Sequence, residues 1–260
     1  MDWFLSQSSP VQALLGTLFT YGVTAAGASL VFFFRAVRRR PLDIMMGFAA
    51  GVMIAASFWS LLSPAIELSG SLGHNAWLTA AVGFVSGGVF IILTDIYLSR
   101  TEPQGGRSAK SSLMLVSAIT MHNIPEGLAV GVAFGCAATG VEGASVLSAM
   151  LLALGIGLQN FPEGLCAAVP MRKAGKSCSR SFLIGQSSGA VEPIAGVLGA
   201  IAATRMQALL PFALTFSAGA MIAVVCSELI PESFRDNKTL ATAGVLMGFA
   251  VMMVLDVALG

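Results

Sequence analysis

Apolar residues run along this chain in eight long blocks, over 11–34, 42–65, 76–98, 113–138, 144–170, 180–203, 208–230 and 239–259, with polar and basic residues gathered in the short intervals between them. A helix needs about 20 such residues to cross a hydrocarbon core about 30 Å thick, and each block is that long. The pattern predicts an all-α polytopic membrane protein with eight transmembrane helices. It leaves no residues for a soluble domain, so 1–260 is expected to be a single transmembrane domain. The start, Met1-Asp2-Trp3-Phe4, lacks the basic region of a cleaved signal peptide, so the first block is expected to stay as a span.

Composition agrees: 56% of residues are hydrophobic and 10% charged, against about 25% charged in an average soluble domain. The placement of the charges adds an orientation. Arg35, Arg38, Arg39 and Arg40 follow the first block; Arg100, Arg107 and Lys110 the third; Arg172, Lys173, Lys176 and Arg180 the fifth; Arg235 and Lys238 the seventh. Lysine and arginine accumulate in cytoplasmic loops, so thirteen of the fourteen basic residues put the same four loops inside, and both termini are expected outside. The four cysteines, 136, 166, 178 and 226, show no CxxC spacing and read as small core residues.

Within this frame the sequence repeats itself. Ala50-Gly-Val-Met-Ile-Ala55 of span 2 returns as Ala218-Gly-Ala-Met-Ile-Ala223 of span 7, and Gly87 with Asp95 in span 3 returns as Gly248 with Asp256 in span 8. The members of each pair run in opposite directions under the topology above. That predicts a 3+2+3 inverted-repeat arrangement, the pattern of alternating-access carriers with a site near the bilayer midplane. Glycines four apart at 47/51, 83/87 and 244/248 let helices approach closely; ordinary packing inside the chain is the preferred reading, a homodimer interface the other.

The chemistry lies in spans 4 and 5, where His122-Asn-Ile-Pro-Glu-Gly-Leu128 recurs as Gln159-Asn-Phe-Pro-Glu-Gly-Leu165. Residues four apart share a helix face, so His122 pairs with Glu126 and Gln159 with Glu163. Asn123 and Asn160 lie on the same turns. Pro125 and Pro162 are expected to kink their helices and free the carbonyls of Met121 and Leu158. Glu192-Pro193 in span 6 repeats the device and closes the pocket, with Met53 of span 2 facing it. A charge at the bilayer centre costs about 2.5–3.5 kcal/mol, and no lysine or arginine sits in the interior of a span, so a metal ion is the economical partner for Glu126, Glu163 and Glu192. Imidazole nitrogen with carboxylate and amide oxygens suits Zn²⁺ and its neighbours Fe²⁺, Mn²⁺, Co²⁺ and Cd²⁺ better than Mg²⁺ or Ca²⁺. Ser60, Glu67 and Asp256 toward the outer side, and Asp95, Glu228 and Glu232 toward the inner side, are candidates for the path to and from the site.

At these residues the chain resembles the ZIP (Zrt/Irt-like) metal transporters, and looks most like their GufA branch. The resemblance implies that His122, Glu126, Gln159, Glu163 and Met53 hold one metal ion, and that Asn123, Glu126, Asn160, Glu163 and Glu192 hold a neighbouring one. It implies uptake of divalent transition metals, zinc first, into the cytoplasm, with spans 1, 4, 5 and 6 moving against 2, 3, 7 and 8. The expected setting is the cell membrane of a bacterium, with metal ions and lipid as partners, neither nucleic acid nor an organic cofactor, and no direct use of ATP. The chain departs from many relatives in three places: 99–112 holds no histidine, Ser227 precedes Glu228 where histidine is common, and Asn160 is neutral where some carry aspartate. Two other classes compete on residues alone. An intramembrane metalloenzyme would use bound metal to activate water, although the chain has no HExxH and catalysis requires no inverted repeat. A carrier of protons or an organic cation would need no nitrogen ligand and would survive His122→Ala.

Overall fold

The computed structural model describes residues 2–33, 39–100, 109–140, 144–173 and 175–258. Among the described residues it is all helix and turn. After a short helix Asp2–Leu5 come eight long helices in chain order: α1 Ser9–Phe32, α2 Arg40–Ser71, α3 Ala76–Arg100, α4 Ala109–Thr139, α5 Val146–Lys173, α6 Cys178–Arg205, α7 Leu210–Ser233 and α8 Lys238–Ala258. All but α4 are long and apolar enough, among the described residues, to cross a membrane. In α4, a helix of 31 residues, the side chains of 109–119, 121 and 122 lie outside the described set.

The helices sort into two groups. In one, α1 packs along α5 and α4 along α6; in the other, α2 packs along α8 and α3 along α7. Each close pair is built on glycines that leave no room for a side chain. A Cβ at Gly51 would overlap the Val245 carbonyl and one at Gly248 the Phe48 carbonyl; Gly87 meets Phe216 and Gly219 meets Phe84; Gly131 meets Gly196; Gly27 meets Phe161 and Gly164 meets Thr24. The spaced glycines of spans 2, 3 and 8 therefore serve packing within the chain. All four pairs run parallel, since contacts advance together along both helices, as in Gly47 with Ala241 and Gly51 with Val245, or Gly127 with Glu192 and Gly131 with Gly196. The two groups meet where α2 packs on α5 and α4 on α7. This set of pairings is unchanged when 1 is exchanged with 6, 2 with 7, 3 with 8 and 4 with 5.

Burial follows the pattern. Met53, Met221, Phe134 and Ile156 are fully buried, while α3 shows Trp77, Val85, Leu93 and Tyr97 outward and α8 shows Leu246 and Val257, apolar faces that lipid covers. Prolines sit in these helices in two ways. Helix runs unbroken through Pro125 and Pro162. Proline removes one intrahelical bond, and in α4 and α5 the backbone of Gly127 is clamped against Glu192 and that of Gly164 against Thr24. Irregular turns fall elsewhere: a 3₁₀ turn at Ser188–Val191 just before Pro193, and wide π turns at Ser57–Leu62 in α2 and Val225–Leu229 in α7, each just before a proline (Pro64, Pro231).

Candidate functional site

The site forms where α1, α4, α5 and α6 meet. Asn123, Glu126, Gln159, Asn160 and Glu192 are each at most 1% exposed and Glu163 6%. Two side-chain bonds tie the helices together: Gln159 Nε2 donates to Glu126 Oε1 at 2.7 Å, and Asn160 Nδ2 donates to Glu192 Oε1 at 2.9 Å. Glu126, Glu163 and Glu192 stand near enough for their charges to be felt by one another. On most of these residues one side-chain oxygen meets no partner. Asn123 Oδ1, Glu126 Oε2, Gln159 Oε1, Asn160 Oδ1 and Glu163 Oε1 are all buried and without a hydrogen-bond partner, which is costly for polar atoms in a low-dielectric interior.

Such a set of oxygens attracts a cation. Among the described residues, no three histidine, cysteine, aspartate or glutamate side chains gather into a metal cluster, so the donors here are a mixture of carboxylates and amides. The side chain of His122 lies outside the described residues; its place in the helix, one turn before Glu126, is as the sequence predicts. Met53 is fully buried on α2. Its neighbour Val52 approaches Gly155 of α5, and Met46, two turns away on the same face, touches Cys166 of α5, so Met53 belongs to the side of α2 that meets α5.

Comparison with known proteins adds an independent finding. The family described as ZIP Zinc transporter matches residues 99–256. The zinc transporter ZIP11 of Homo sapiens is 40% identical, over 97% of this chain and 98% of that protein. The zinc transporter GufA of Myxococcus xanthus is 38% identical, over 95% and 98%, and the zinc transporter ZIPB of Bordetella bronchiseptica 36%, over 95% and 81%. The chain belongs to the ZIP zinc transporter family. It is a multi-pass integral membrane protein, and the relatives named here are all called transporters.

Within this ZIP chain one contributor escaped the sequence reading. Thr20 of α1 donates its hydroxyl to Glu192 Oε2, and its carbonyl accepts a 3.4 Å bond from Asn160 Nδ2. Both oxygens of Glu192 are therefore held, one by Thr20 and one by Asn160. The signal was a row of threonines at 17, 20 and 24 in an apolar span, all fully buried. Replacing the hydroxyl with a methyl at constant shape strands a buried carboxylate oxygen, and a hydrogen bond to a charged group contributes about 1.5–3 kcal/mol. Thr20→Val should therefore raise the zinc concentration that half-saturates transport about tenfold, and Thr20→Ser should restore it; flux titrations on reconstituted protein measure both.

The predicted path residues divide between two ends. Ser60, in the wide turn of α2, donates to Asp256 Oδ1 of α8 at 2.6 Å. The pair lines a cavity of about 170 Å³ whose wall also holds Ala133 and Cys136 of α4 and Ser148 and Leu152 of α5. Ala133 is two turns beyond Glu126 and Leu152 two turns before Gln159, so this cavity lies on the side of the site predicted to face outward. At the other end Glu228 senses the charges of Asp95 and Glu232, and Glu232 also pairs with Arg235 at 3.6 Å. Glu67, two turns beyond Ser60 on α2, is exposed.

Proposed function

We propose that this chain is a secondary transporter that carries divalent transition metal ions, zinc foremost, into the cytoplasm through a site on α4, α5 and α6 completed by Met53 of α2. The observation that carries the reading is the group of five buried oxygens without hydrogen-bond partners, set on two helices that present the same Asn-x-Pro-Glu-Gly sequence. A carboxylate stripped of water needs a partner, and a doubly charged ion that takes both oxygen and nitrogen ligands supplies it. The names of the relatives favour zinc, with Cd²⁺, Fe²⁺, Mn²⁺ and Co²⁺ as competitors.

His122, Glu126, Gln159, Glu163 and Met53 would hold the first ion. Asn123, Asn160 and Glu192 with the same two glutamates would hold a second, with Thr20 and Asn160 fixing the Glu192 carboxylate in place. The reading takes residues 1–260 as one transport unit of eight spans with both termini outside. Parallel packing supports the count: α1 and α5 run the same way, as do α4 and α6, which requires α4 to cross between α3 and α5. The exchange pattern among the pairings supports an inverted repeat, and the split into two groups supports alternating access by one moving against the other. Ser60 with Asp256 would admit the ion, and Glu228 with Asp95 would release it.

The test is the filling of liposomes that hold a zinc-sensitive dye. Wild type should fill on addition of external Zn²⁺, while Glu163→Ala and His122→Ala should lower the rate at least about tenfold, the scale on which support of a metal site is usually felt. A wild type that stays empty, or variants that fill at its rate, would overturn the proposal.

A further inference from the structure

Two sulfur atoms meet on the far side of the site from the cavity. Cys166 Sγ of α5 lies 3.0 Å from Met46 Sδ of α2, with the thiol as donor. That is nearer than the 3.5–4.0 Å at which even carbon atoms pack. Cys166 is 9% exposed and Met46 6%, and Cys166 forms no disulfide. The contact extends two rows of residues that already lead to the site. On α5, Gln159, Glu163 and Cys166 follow one another at four and three residues and share a face. On α2, Met53 and Met46 are seven apart and share a face too. Glu163, itself 6% exposed, carries a buried Oε1 without a hydrogen-bond partner and stands one turn from Cys166 on the same helix.

We propose that Cys166 and Met46 form a soft-ligand station that takes the ion from Glu163 on its way to the cytoplasm. The proposal rests on the transporter reading and deepens it. Thiolate and thioether sulfur select polarisable ions such as Cd²⁺, Zn²⁺ or Cu⁺, whereas Mn²⁺ and Mg²⁺ prefer oxygen. Zinc–sulfur bonds are about 2.3 Å, so two sulfurs on one tetrahedral ion stand nearly 4 Å apart. Rotation about the three flexible bonds of Met46 opens the present contact to that width. Glu163 can keep one oxygen on the ion during the move, since one helical turn rises only about 5.4 Å, while its other oxygen takes the proton that the Cys166 thiol gives up as the metal–sulfur bond forms. Asp43, buried one turn beyond Met46 on the same face of α2, continues the line toward the inner end.

Two readouts on intact protein decide it. In detergent, with Cys136, Cys178 and Cys226 replaced by serine, Cd²⁺ should give a saturable ultraviolet band of thiolate-to-cadmium charge transfer, and Cys166→Ser should abolish it. In liposomes, the ratio of Cd²⁺ to Mn²⁺ flux should fall about tenfold in Met46→Leu and in Cys166→Ser, both close in volume to the originals. A missing band, or a flux ratio equal to that of wild type, overturns the station; equal losses for both ions mean a packing role and overturn it as well. If wild type carries neither ion, the transporter reading fails instead, and the cadmium band still decides whether the sulfur pair binds soft metal.

Discussion

Glu126→Gln should cut zinc flux by more than about a hundredfold and at the same time raise the melting temperature of the metal-free protein. The two halves of this result come from one carboxylate. Glu126 is fully buried, accepts a single hydrogen bond from Gln159, leaves Oε2 unpaired, and faces two other carboxylates. Without a cation that arrangement is a burden on the folded state: removing the charge at nearly constant volume relieves like-charge repulsion and desolvation together. The amide oxygen of the variant still accepts from Gln159, so the contact between α4 and α5 survives. The variant loses the anionic ligand proposed to be shared by both ions, and even residues that only support a metal ligand typically matter ten- to a hundredfold. Melting curves with and without zinc separate the outcomes. Wild type should gain stability on adding zinc, because a ligand that binds only the folded form stabilises it, and Glu126→Gln should not. A lower melting temperature for the variant would make Glu126 a structural residue. A zinc-dependent shift that persists at wild-type size would place the binding site elsewhere.

Gly131→Leu should prevent the protein from accumulating as a folded, monodisperse species, whereas Gly22→Leu should leave it intact. Both substitutions put the same side chain on a glycine in a long helix. At Gly131 the new Cβ would collide with the backbone of Gly196, carbonyl included, and backbone cannot swing aside as a side-chain tip can. The contact between α4 and α6 would open along its length, and with it the packing of Gly127 on the Glu192 backbone. Overpacking of a tight core costs about 1–3 kcal/mol, and forcing apart two helix backbones lies at or above the top of that range. At Gly22 a Cβ meets nothing within 4 Å and the position is exposed. Size-exclusion profiles of the two detergent-solubilised variants make the comparison. A monodisperse Gly131→Leu would mean that α4 and α6 do not pack as closely as described.

The spans and the central carboxylates could be read in the chain because each breaks a strong rule. Twenty apolar residues have few other homes, and glutamate beside proline inside such a run needs a reason. Thr20 was hidden for the opposite reason. A threonine in an apolar helix ordinarily bonds back to its own backbone, as Thr17 does to the Ala13 carbonyl and Thr24 to that of Thr20; only tertiary contact reveals that Thr20 also reaches Glu192. The wide turns in α2 and α7 each stand just before a proline, Pro64 and Pro231, a mark the sequence reading passed over. The glycine spacing foretold close approach but named no partner, because a bare helix face fits any other bare face of matching path.

The glycine contacts also divide the molecule mechanically. Where backbone rests on backbone, a slip by one residue drives a carbonyl into the next Cα, so each parallel pair behaves as a welded beam. Compliance is left to the seams between the beams, and those are furnished with methionine: Met46 and Met53 on the face of α2 toward α5, and Met252 of α8 against Gly155 of α5. An unbranched thioether changes rotamer at low cost and keeps its contacts while doing so. The methionines proposed to meet a passing ion, Met46 and Met53, thus also sit in the seam where repacking is cheapest, and a substitution chosen to alter one property will register in the other.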